Sequence, residues 1–207
     1  MMPCSRCAAL LPLLLLALLL LPEPVACAAS ASDSADTAPG FDLWAPTYDE
    51  DAVELGWAAP EQAAAQLSPF LPDLQALRGD GQQALPLRAL DAGCGSGLME
   101  ASWRQLGLRD VTGIDLSAGM LEVARRREFY SQLVHAGLDE IPLPFAVAEF
   151  DVVVCVGVLS YVRETVRKKT AARLCSLPYG ACVLSLSCQI IITVFSLRRR
   201  FKTNSCV

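Results

Sequence analysis

Two short apolar runs near the middle of the chain each end at an aspartate. The first covers residues 87–90, stops at Asp91 and gives way to three glycines at alternate positions. The second covers residues 111–114 and ends at Asp115. Short apolar runs bounded by turn residues predict buried strands. Because ligands of parallel sheets collect at the carboxyl ends of the strands, the two aspartates mark a predicted binding edge.

Helical spacing follows each of these predicted strands. After the glycines, apolar residues recur at helical intervals as far as Gly107, where a helix is expected to stop. Ser117 is a natural N-cap for a second helix over residues 118–127. Ahead of the first strand, Pro60 opens a helix that runs through Leu67. The pattern therefore predicts strand-turn-helix units that follow an amino-terminal helical segment.

Two further runs extend the predicted sheet. A third strand is expected over residues 131–136. Residues 150–161 are almost entirely apolar after Asp151, which is typical of a central parallel strand covered by helices on both faces. Strands that alternate with helices in this way predict an α/β fold with a parallel sheet.

The three glycines between the first strand and its helix are Gly93, Gly95 and Gly97. A side chain at these positions would hold a ligand away from the backbone, and the turn is expected to require positive φ. Asp115 follows the last of them by eighteen residues, at the end of the next strand. An acid so placed is suited to binding the two hydroxyls of a ribose.

Together, ALDAGCGSG at 89–97 and VTGIDLSAGM at 111–120 resemble the nucleoside pocket of class I S-adenosylmethionine-dependent methyltransferases, whose first motif reads acid-x-Gly-x-Gly-x-Gly. A dinucleotide site is the competing interpretation, but it prefers Gly-x-Gly-x-x-Gly and room for a pyrophosphate. Here the third glycine comes one residue early, and Asp91 would repel a phosphate. The resemblance implies a doubly wound, Rossmann-like methyltransferase sheet with S-adenosylmethionine as cofactor.

The resemblance also implies a set of cofactor-binding residues. The three glycines would give close backbone approach to the methionine part, Asp91 would hold its ammonium group, and Asp115 would take the ribose hydroxyls. Leu116 and Met120 would lie against the adenine ring, with core packing as the alternative role of Met120. Asp139 would accept a hydrogen bond from the adenine amino group.

No general base is evident at the end of the 150–161 run, where Tyr161 is the one polar candidate for catalysis. His135 falls within the third predicted strand, where a lone histidine is more often structural. The methyl acceptor is expected to be a small molecule. The alternatives are an inactive form that binds the cofactor or a partner, and a membrane-tethered lumenal enzyme.

The segment FDLWAPTYD, residues 41–49, resembles the stretch that precedes the core in many small-molecule methyltransferases. With the glycine loop and the apolar run ending VGVLSYV, it is most similar to the methyltransferase-like proteins of the Williams-Beuren region. In such proteins this segment closes over the cofactor. Trp44 and Tyr48 would then meet the sulfonium through cation-π attraction, or they pack the segment on the sheet.

The two ends of the chain differ from its centre. Residues 1–28 have the three parts of a secretory signal peptide, with an unused leader of a cytoplasmic protein as the alternative. Residues 29–40 are small, polar and acidic, which predicts a disordered linker ahead of a core over 41–162. The first 162 residues hold 8 basic and 21 acidic side chains, and residues 163–207 hold 9 and 1. An acidic body argues against nucleic acid as the main partner.

Residues 163–207 depart from the family pattern. Residues 181–187 resemble a degraded fifth strand, and too few residues follow it for a helix and an antiparallel hairpin, so the sheet is expected to lack its last strands. An alternative is that residues 181–197 span a membrane, followed by the basic cluster at 198–202. The cysteines lack zinc-ligand spacing, so no metal site is predicted. The sequence leaves the oligomeric state open.

Overall fold

A computed structural model describes residues 34–78, 85–138, 143–146, 149–158, 180–184 and 190–195. Within these ranges, six helices precede or connect the strands: α1 (Ser34–Trp44), α2 (Tyr48–Glu54), α3 (Ala59–Leu67), α4 (Leu71–Arg78), α5 (Glu100–Gln105) and α6 (Ala118–Arg126). A 3-10 turn, Ser68–Phe70, joins α3 to α4. The strands are β1 (Arg88–Ala92), β2 (Asp110–Asp115), β3 (Gln132–His135), β4 (Val152–Val156), β5 (Gly180–Leu184) and β6 (Ile190–Phe195).

The strands form one sheet in the order β3-β2-β1-β4-β6-β5. β1 pairs with β2 and β4, and β2 pairs with β3, all in parallel. The register sets Asp91 opposite Gly113 and Asp115 opposite His135. The carboxyl ends of β1 and β2 therefore lie side by side, as the hydrophobic pattern predicts. This confirms the α/β fold class and the four parallel strands.

Both faces of the central strands are buried. Val152 and Val154 of β4 lie in a cluster with Trp103 of α5, and Val153 and Cys155 lie in a second cluster with Phe150. Period-two alternation sends successive side chains to opposite faces. A strand that is buried on both faces must therefore be apolar throughout, which confirms the interpretation of this run as a central strand.

A buried ion pair fastens α4 to the start of β4. Asp151 is 4% exposed and accepts hydrogen bonds from Arg78 Nε at 2.9 Å and from the backbone N–H of Arg88 at 2.8 Å. Arg78 Nη2 also pairs with this carboxylate. The carboxylate is thus satisfied by donors from both α4 and β1, as a buried charge requires.

The carboxyl-terminal strands form an antiparallel hairpin rather than a fifth parallel strand beside β4. β6 pairs with β4, with Val152 opposite Val194, and β5 pairs with the far side of β6. The alternative of a membrane span over 181–197 does not fit the described stretches of this region, 180–184 and 190–195, because both are strands. The run Ile190–Phe195 is mostly β-branched, which favours a strand. Among the described residues, no helix is long and apolar enough to cross a bilayer.

The expected last strands are therefore changed rather than simply missing. The described residues contain six strands, one fewer than the family pattern implies, and β6 covers the edge of β4 that an unfinished sheet would leave unpaired. Covering that edge satisfies the backbone donors and acceptors of β4.

The predicted disordered linker, residues 29–40, is wrong from Ser34 onward, because α1 begins there. α1 packs on α6, and Asp42 of α1 hydrogen-bonds to α6. This tertiary contact stabilises a segment whose small, polar composition indicates disorder when considered alone. The predicted signal peptide, residues 1–28, lies outside the described residues.

Candidate cofactor site

The loop between β1 and α5 is clipped to the end of β2. The backbone N–H groups of Gly93 and Cys94 both donate to the carbonyl oxygen of Ile114, at 2.8 and 3.0 Å. The φ angles of Gly93, Gly95 and Gly97 are 77°, 54° and 88°. These values confirm the predicted positive-φ turn, a conformation that costs other residues about 1–2 kcal/mol.

The three glycines of this loop have different surroundings. A Cβ at Gly93 would lie 2.0 Å from Val158 Cγ2, and one at Gly97 would lie 2.9 Å from Arg127 Cδ. A Cβ at Gly95 would meet nothing within 4 Å. Gly93 and Gly97 therefore allow close packing of the protein on itself, whereas Gly95 borders open space.

Asp115 closes this open space from the side of β2. Its Oδ2 accepts a hydrogen bond from Gly95 N at 2.8 Å, and its Oδ1 accepts one from Ser117 N at 2.9 Å. Burial raises the pKa of this carboxyl, against the lowering effect of the backbone donors. The side chain is half-buried. Each carboxylate oxygen has more than one lone pair, so both retain capacity for a ligand hydroxyl.

Asp91 lies deeper, at 2% exposure. Its Oδ2 accepts hydrogen bonds from Trp103 Nε1 and from the Tyr130 hydroxyl, both at 2.9 Å. Burial raises the pKa of this carboxyl to about 6, and the two donors oppose the rise. Asp91 is therefore half-ionised near pH 6. Asp91 is predicted to bind the ammonium group of the cofactor, and its Oδ2 already accepts two hydrogen bonds from the protein.

The amino terminus of α6 is capped twice. Ser117 Oγ accepts a hydrogen bond from Met120 N at 3.1 Å, which confirms the predicted N-cap. Asp42 of α1 accepts from Ser117 Oγ at 2.6 Å and from Gly119 N at 2.8 Å. These bonds lower the pKa of Asp42. Its charge also lies favourably at the positive end of a helix dipole.

The side chains predicted to border the adenine ring flank this helix terminus. Met120 is buried, at 2% exposure, and Leu116 is half-buried. His135 Nε2 lies 2.8 Å from the carbonyl oxygen of Leu116, which gives this histidine a structural contact. Asp139 and Tyr161 lie outside the described residues.

Three polar residues around the site were not predicted from the sequence: Asp42, Asp49 and Arg127. Asp49 Oδ1 accepts a hydrogen bond from Ser96 Oγ at 2.5 Å, and Arg127 Nε donates to the Ser96 carbonyl oxygen at 2.7 Å. The one available signal was that both aspartates lie in the acidic, aromatic 41–49 segment. Nothing in the local sequence indicates their partners, which lie 47 to 78 residues away.

The aromatic pair of the amino-terminal segment packs on itself. The rings of Trp44 and Tyr48 meet edge to face, with centroids 4.8 Å apart, and Trp44 Nε1 donates to Asp51 Oδ2 at 2.5 Å. These contacts favour the packing alternative for this pair.

The described end of β4 packs against a tryptophan of the amino-terminal segment. A Cβ at Gly157 would lie 3.1 Å from Trp57 Cζ2, and Gly157 has a φ of 78°. Trp57 and Val158 thus border the carboxyl end of β4, beside the glycine loop.

Two cysteines lie in the interior and pack as small hydrophobic side chains. Cys94 and Cys155 are free and buried. Burial raises the pKa of both thiols well above the ordinary value. They are therefore protonated at neutral pH and are not nucleophiles.

Residues 90–177 match the family described as a methyltransferase domain. The chain is 40% identical over 120 residues to human methyltransferase-like protein 27, covering 58% of this chain and 45% of that protein. It is 41% identical over 70 residues to a malonyl-[acyl-carrier protein] O-methyltransferase of Serratia marcescens, covering 34% and 27%. The chain thus spans less than half the length of these relatives.

A similarity to a solved structure is also found. SAM-bound CalS10, an amino pentose methyltransferase from Micromonospora echinaspora, aligns over 65% of this chain and 53% of its own. The TM-score is 0.47 and the sequence identity is 23%.

Proposed function

We propose that this chain is an S-adenosylmethionine-dependent methyltransferase that transfers a methyl group from S-adenosylmethionine to a small-molecule acceptor, as its match to a methyltransferase domain over residues 90–177 supports. The observation that carries the proposal is the hydrogen bond from Gly95 N to Asp115 Oδ2. It joins the two motifs, twenty residues apart, at one point beside open space.

The residues around this point fit the cofactor. The empty volume where a Cβ of Gly95 would lie leaves room for a ligand against the loop backbone. Asp115 supplies carboxylate oxygens for two neighbouring hydroxyls, and Asp91 supplies a buried negative charge above pH 6. When bound, the cofactor supplies an electrophilic methyl group on a sulfonium. The chain's task is then to orient it, and to exclude water with α1 and α2.

Isothermal titration with S-adenosylmethionine tests the proposal. Asp115→Ala removes both ribose contacts and is expected to weaken binding about 10- to 150-fold, since a hydrogen bond to a charged group contributes about 1.5–3 kcal/mol. The matched control is Asp110→Asn at the opposite end of β2, where the carboxylate bonds to Ser131 and Arg88. Equal binding by the wild type and Asp115→Ala, or no binding by the wild type, would refute the assignment.

A second candidate is cofactor binding without turnover. The observation that favours it is the antiparallel pairing of β6 with β4, where the family pattern expects a parallel fifth strand. A parallel strand would bring its carboxyl end, and the loop after it, to the acceptor side of the site. Binding of the cofactor without release of S-adenosylhomocysteine across a panel of small acceptors would support this candidate.

The cellular location belongs to the proposal as well. The signal-like residues 1–28 favour the secretory pathway, and the alternative is the cytoplasm. A carboxyl-terminal tag on the full chain, followed in cells by protease protection of microsomes, separates the two. Tagged protein in the cytosolic fraction, with residues 1–28 still attached, would contradict the secretory assignment.

A further inference from the structure

Arg127, directly after α6, reaches the glycine loop with its side chain. The guanidinium Nε donates to the Ser96 carbonyl oxygen at 2.7 Å, and the side chain is 24% exposed. Its aliphatic part packs on the loop as well, because a Cβ at Gly97 would lie 2.9 Å from Arg127 Cδ. One side chain therefore contacts two consecutive residues of the loop.

Asp49, in the first turn of α2, holds the same loop residue from the other side. Its Oδ1 accepts the Ser96 hydroxyl at 2.5 Å, and its Oδ2 pairs with Arg127 Nη2. Ser96 is 1% exposed, so its hydroxyl faces the protein and not a ligand. Ser96, Asp49 and Arg127 thus form a closed set of contacts, here called the loop clamp.

The charges around the loop clamp make Arg127 the cation on which it depends. Glu100 Oε2 lies 3.5 Å from Arg127 Nη1, and Glu100 Oε1 is paired with Arg104 Nε at 2.8 Å. Arg104 pairs with Glu100. The described ion-pair partner of Asp49 is Arg127. Without the guanidinium, Asp49 and Glu100 would face the loop with unbalanced negative charge.

The residues of the loop clamp lie beside the open space at Gly95 and do not border it. Ser96 lies between Gly95, whose N–H is held by Asp115, and Gly97, which packs on Arg127. Fixing the Ser96 carbonyl oxygen orients the peptide group between Ser96 and Gly97 and restricts φ of Gly97, whereas the bond to Asp115 orients the peptide group before Gly95. A glycine loop is otherwise free in φ and ψ, so this restraint is needed for a preformed backbone surface.

We infer that Arg127 and Asp49 are positioning residues that set the glycine loop for the cofactor and bind α2 to it. The inference rests on the proposed function, because the affinity it concerns is that for S-adenosylmethionine. It predicts that two side chains outside the predicted set of ligand contacts control cofactor binding.

The test compares Arg127→Met, Asp49→Asn and the double variant with the wild type in isothermal titration with S-adenosylmethionine. Each single change is expected to weaken binding about 3- to 30-fold, as for substitutions that act through packed neighbours. The double variant is expected to bind no more weakly than the poorer single variant, because the two residues act as one unit. Arg126→Met is the matched control: this neighbouring side chain is 74% exposed and lies 3.7 Å from Glu122.

Hydrogen exchange separates a local effect on the glycine loop from a general loss of stability, and the titration separates that local effect from an effect on cofactor binding. Faster exchange confined to residues 93–99 and to α2, with unchanged exchange in β4, is expected for Arg127→Met. If Arg127→Met fails to fold, Ser96→Ala removes the hydroxyl contact alone and is expected to give the same local exchange and weaker binding.

The outcomes separate the inference from the proposed function. Variants that melt at lower temperature but bind the cofactor as tightly as the wild type would overturn the inference alone. A wild-type protein that does not bind S-adenosylmethionine would overturn the proposed function, and the inference with it.

Discussion

Replacing Asp91 by asparagine tests the electrostatics of the site most directly. The amide oxygen of the introduced side chain keeps an acceptor for the donors on Trp103 and Tyr130, while the charge is removed. Asp91 is fully buried, and burial raises the pKa of its carboxyl from 3.8 to about 6. A pKa change of one corresponds to about 1.4 kcal/mol. The ionised carboxylate therefore lowers the free energy of unfolding by about 3 kcal/mol.

The sign of the pH dependence follows from linkage. The folded-state pKa lies above the unfolded value, so the neutral carboxyl contributes stability that is present at low pH and lost as the pH rises from about 4 to about 6. Relative to Asp91→Asn, the wild type is expected to lose about 2–3 kcal/mol over this window. Above pH 7 the difference is expected to be constant.

Urea unfolding of both proteins from about pH 4 to 7.5 measures this difference, because pH effects common to both cancel. Asp110→Asn serves as the control, since Asp110 is partly exposed at the start of β2. A wild-type-minus-variant difference that stays flat from pH 4 to 7.5, or that grows in favour of the wild type, would refute the reasoning.

Cofactor binding is expected to depend on pH in the opposite sense. If the ionised carboxylate holds the ammonium group, the share of competent protein rises about tenfold between pH 5 and pH 7. Titration with S-adenosylmethionine should show a matching gain in affinity for the wild type and none for Asp91→Asn. The same buried charge thus costs stability and supports binding.

Three further substitutions test the packing around the site. Asp42→Asn is expected to lower the free energy of unfolding by about 0.5 kcal/mol at pH 7, after solvent screening, because the charge at the α6 terminus is lost. The effect should disappear below the lowered pKa of Asp42, where the wild-type carboxyl is neutral as well. Equal urea midpoints at pH 7 would contradict this. Gly93→Ala is expected to destabilise the protein more than Gly95→Ala, because a Cβ at position 93 would lie 2.0 Å from Val158 Cγ2 and one at position 95 would meet nothing within 4 Å. Thermal melting ranks the two variants, and the reverse order would be inconsistent with the loop geometry. Arg78→Met leaves the buried carboxylate of Asp151 without its cation and is expected to lower the free energy of unfolding by about 3–5 kcal/mol. Adding Asp151→Asn to Arg78→Met should restore part of this loss, as measured by urea unfolding.

The sequence was sufficient to predict features that depend on local chemistry. β1 ends at Ala92, one residue past Asp91, and β2 ends at Asp115, close to the points where the apolar runs stop. Ser117 caps α6 because a hydroxyl at that position reaches the N–H three residues on. The positive φ of Gly95 follows from the same kind of local pattern. Each of these predictions required information from only a few neighbouring residues.

Features that depend on distant partners were not predictable in this way. Asp42 reaches Ser117 across 75 positions, and Asp49 reaches Arg127 across 78. Composition indicated disorder for residues 29–40, whereas packing on α6 makes the chain helical from Ser34. The β-branched run at Ile190–Phe195 was recognised as strand-like, but its antiparallel pairing with β4 is a choice of topology that the run does not encode.

The described contacts divide the molecule into two parts with separate consequences. The cofactor side is built from β1, β2, α1, α2 and α6, and the hydrogen bonds at Gly95, Asp115 and Ser96 involve no residue of β5 or β6. β6 instead pairs along β4, whose carboxyl end borders Gly157 and Trp57. On the proposed function, a change in the hairpin is therefore expected to affect the acceptor side of the sheet first. On the proposed function, cofactor binding and methyl transfer are therefore expected to be separable in this chain, with α1 and α2, and not the hairpin, completing the cofactor site.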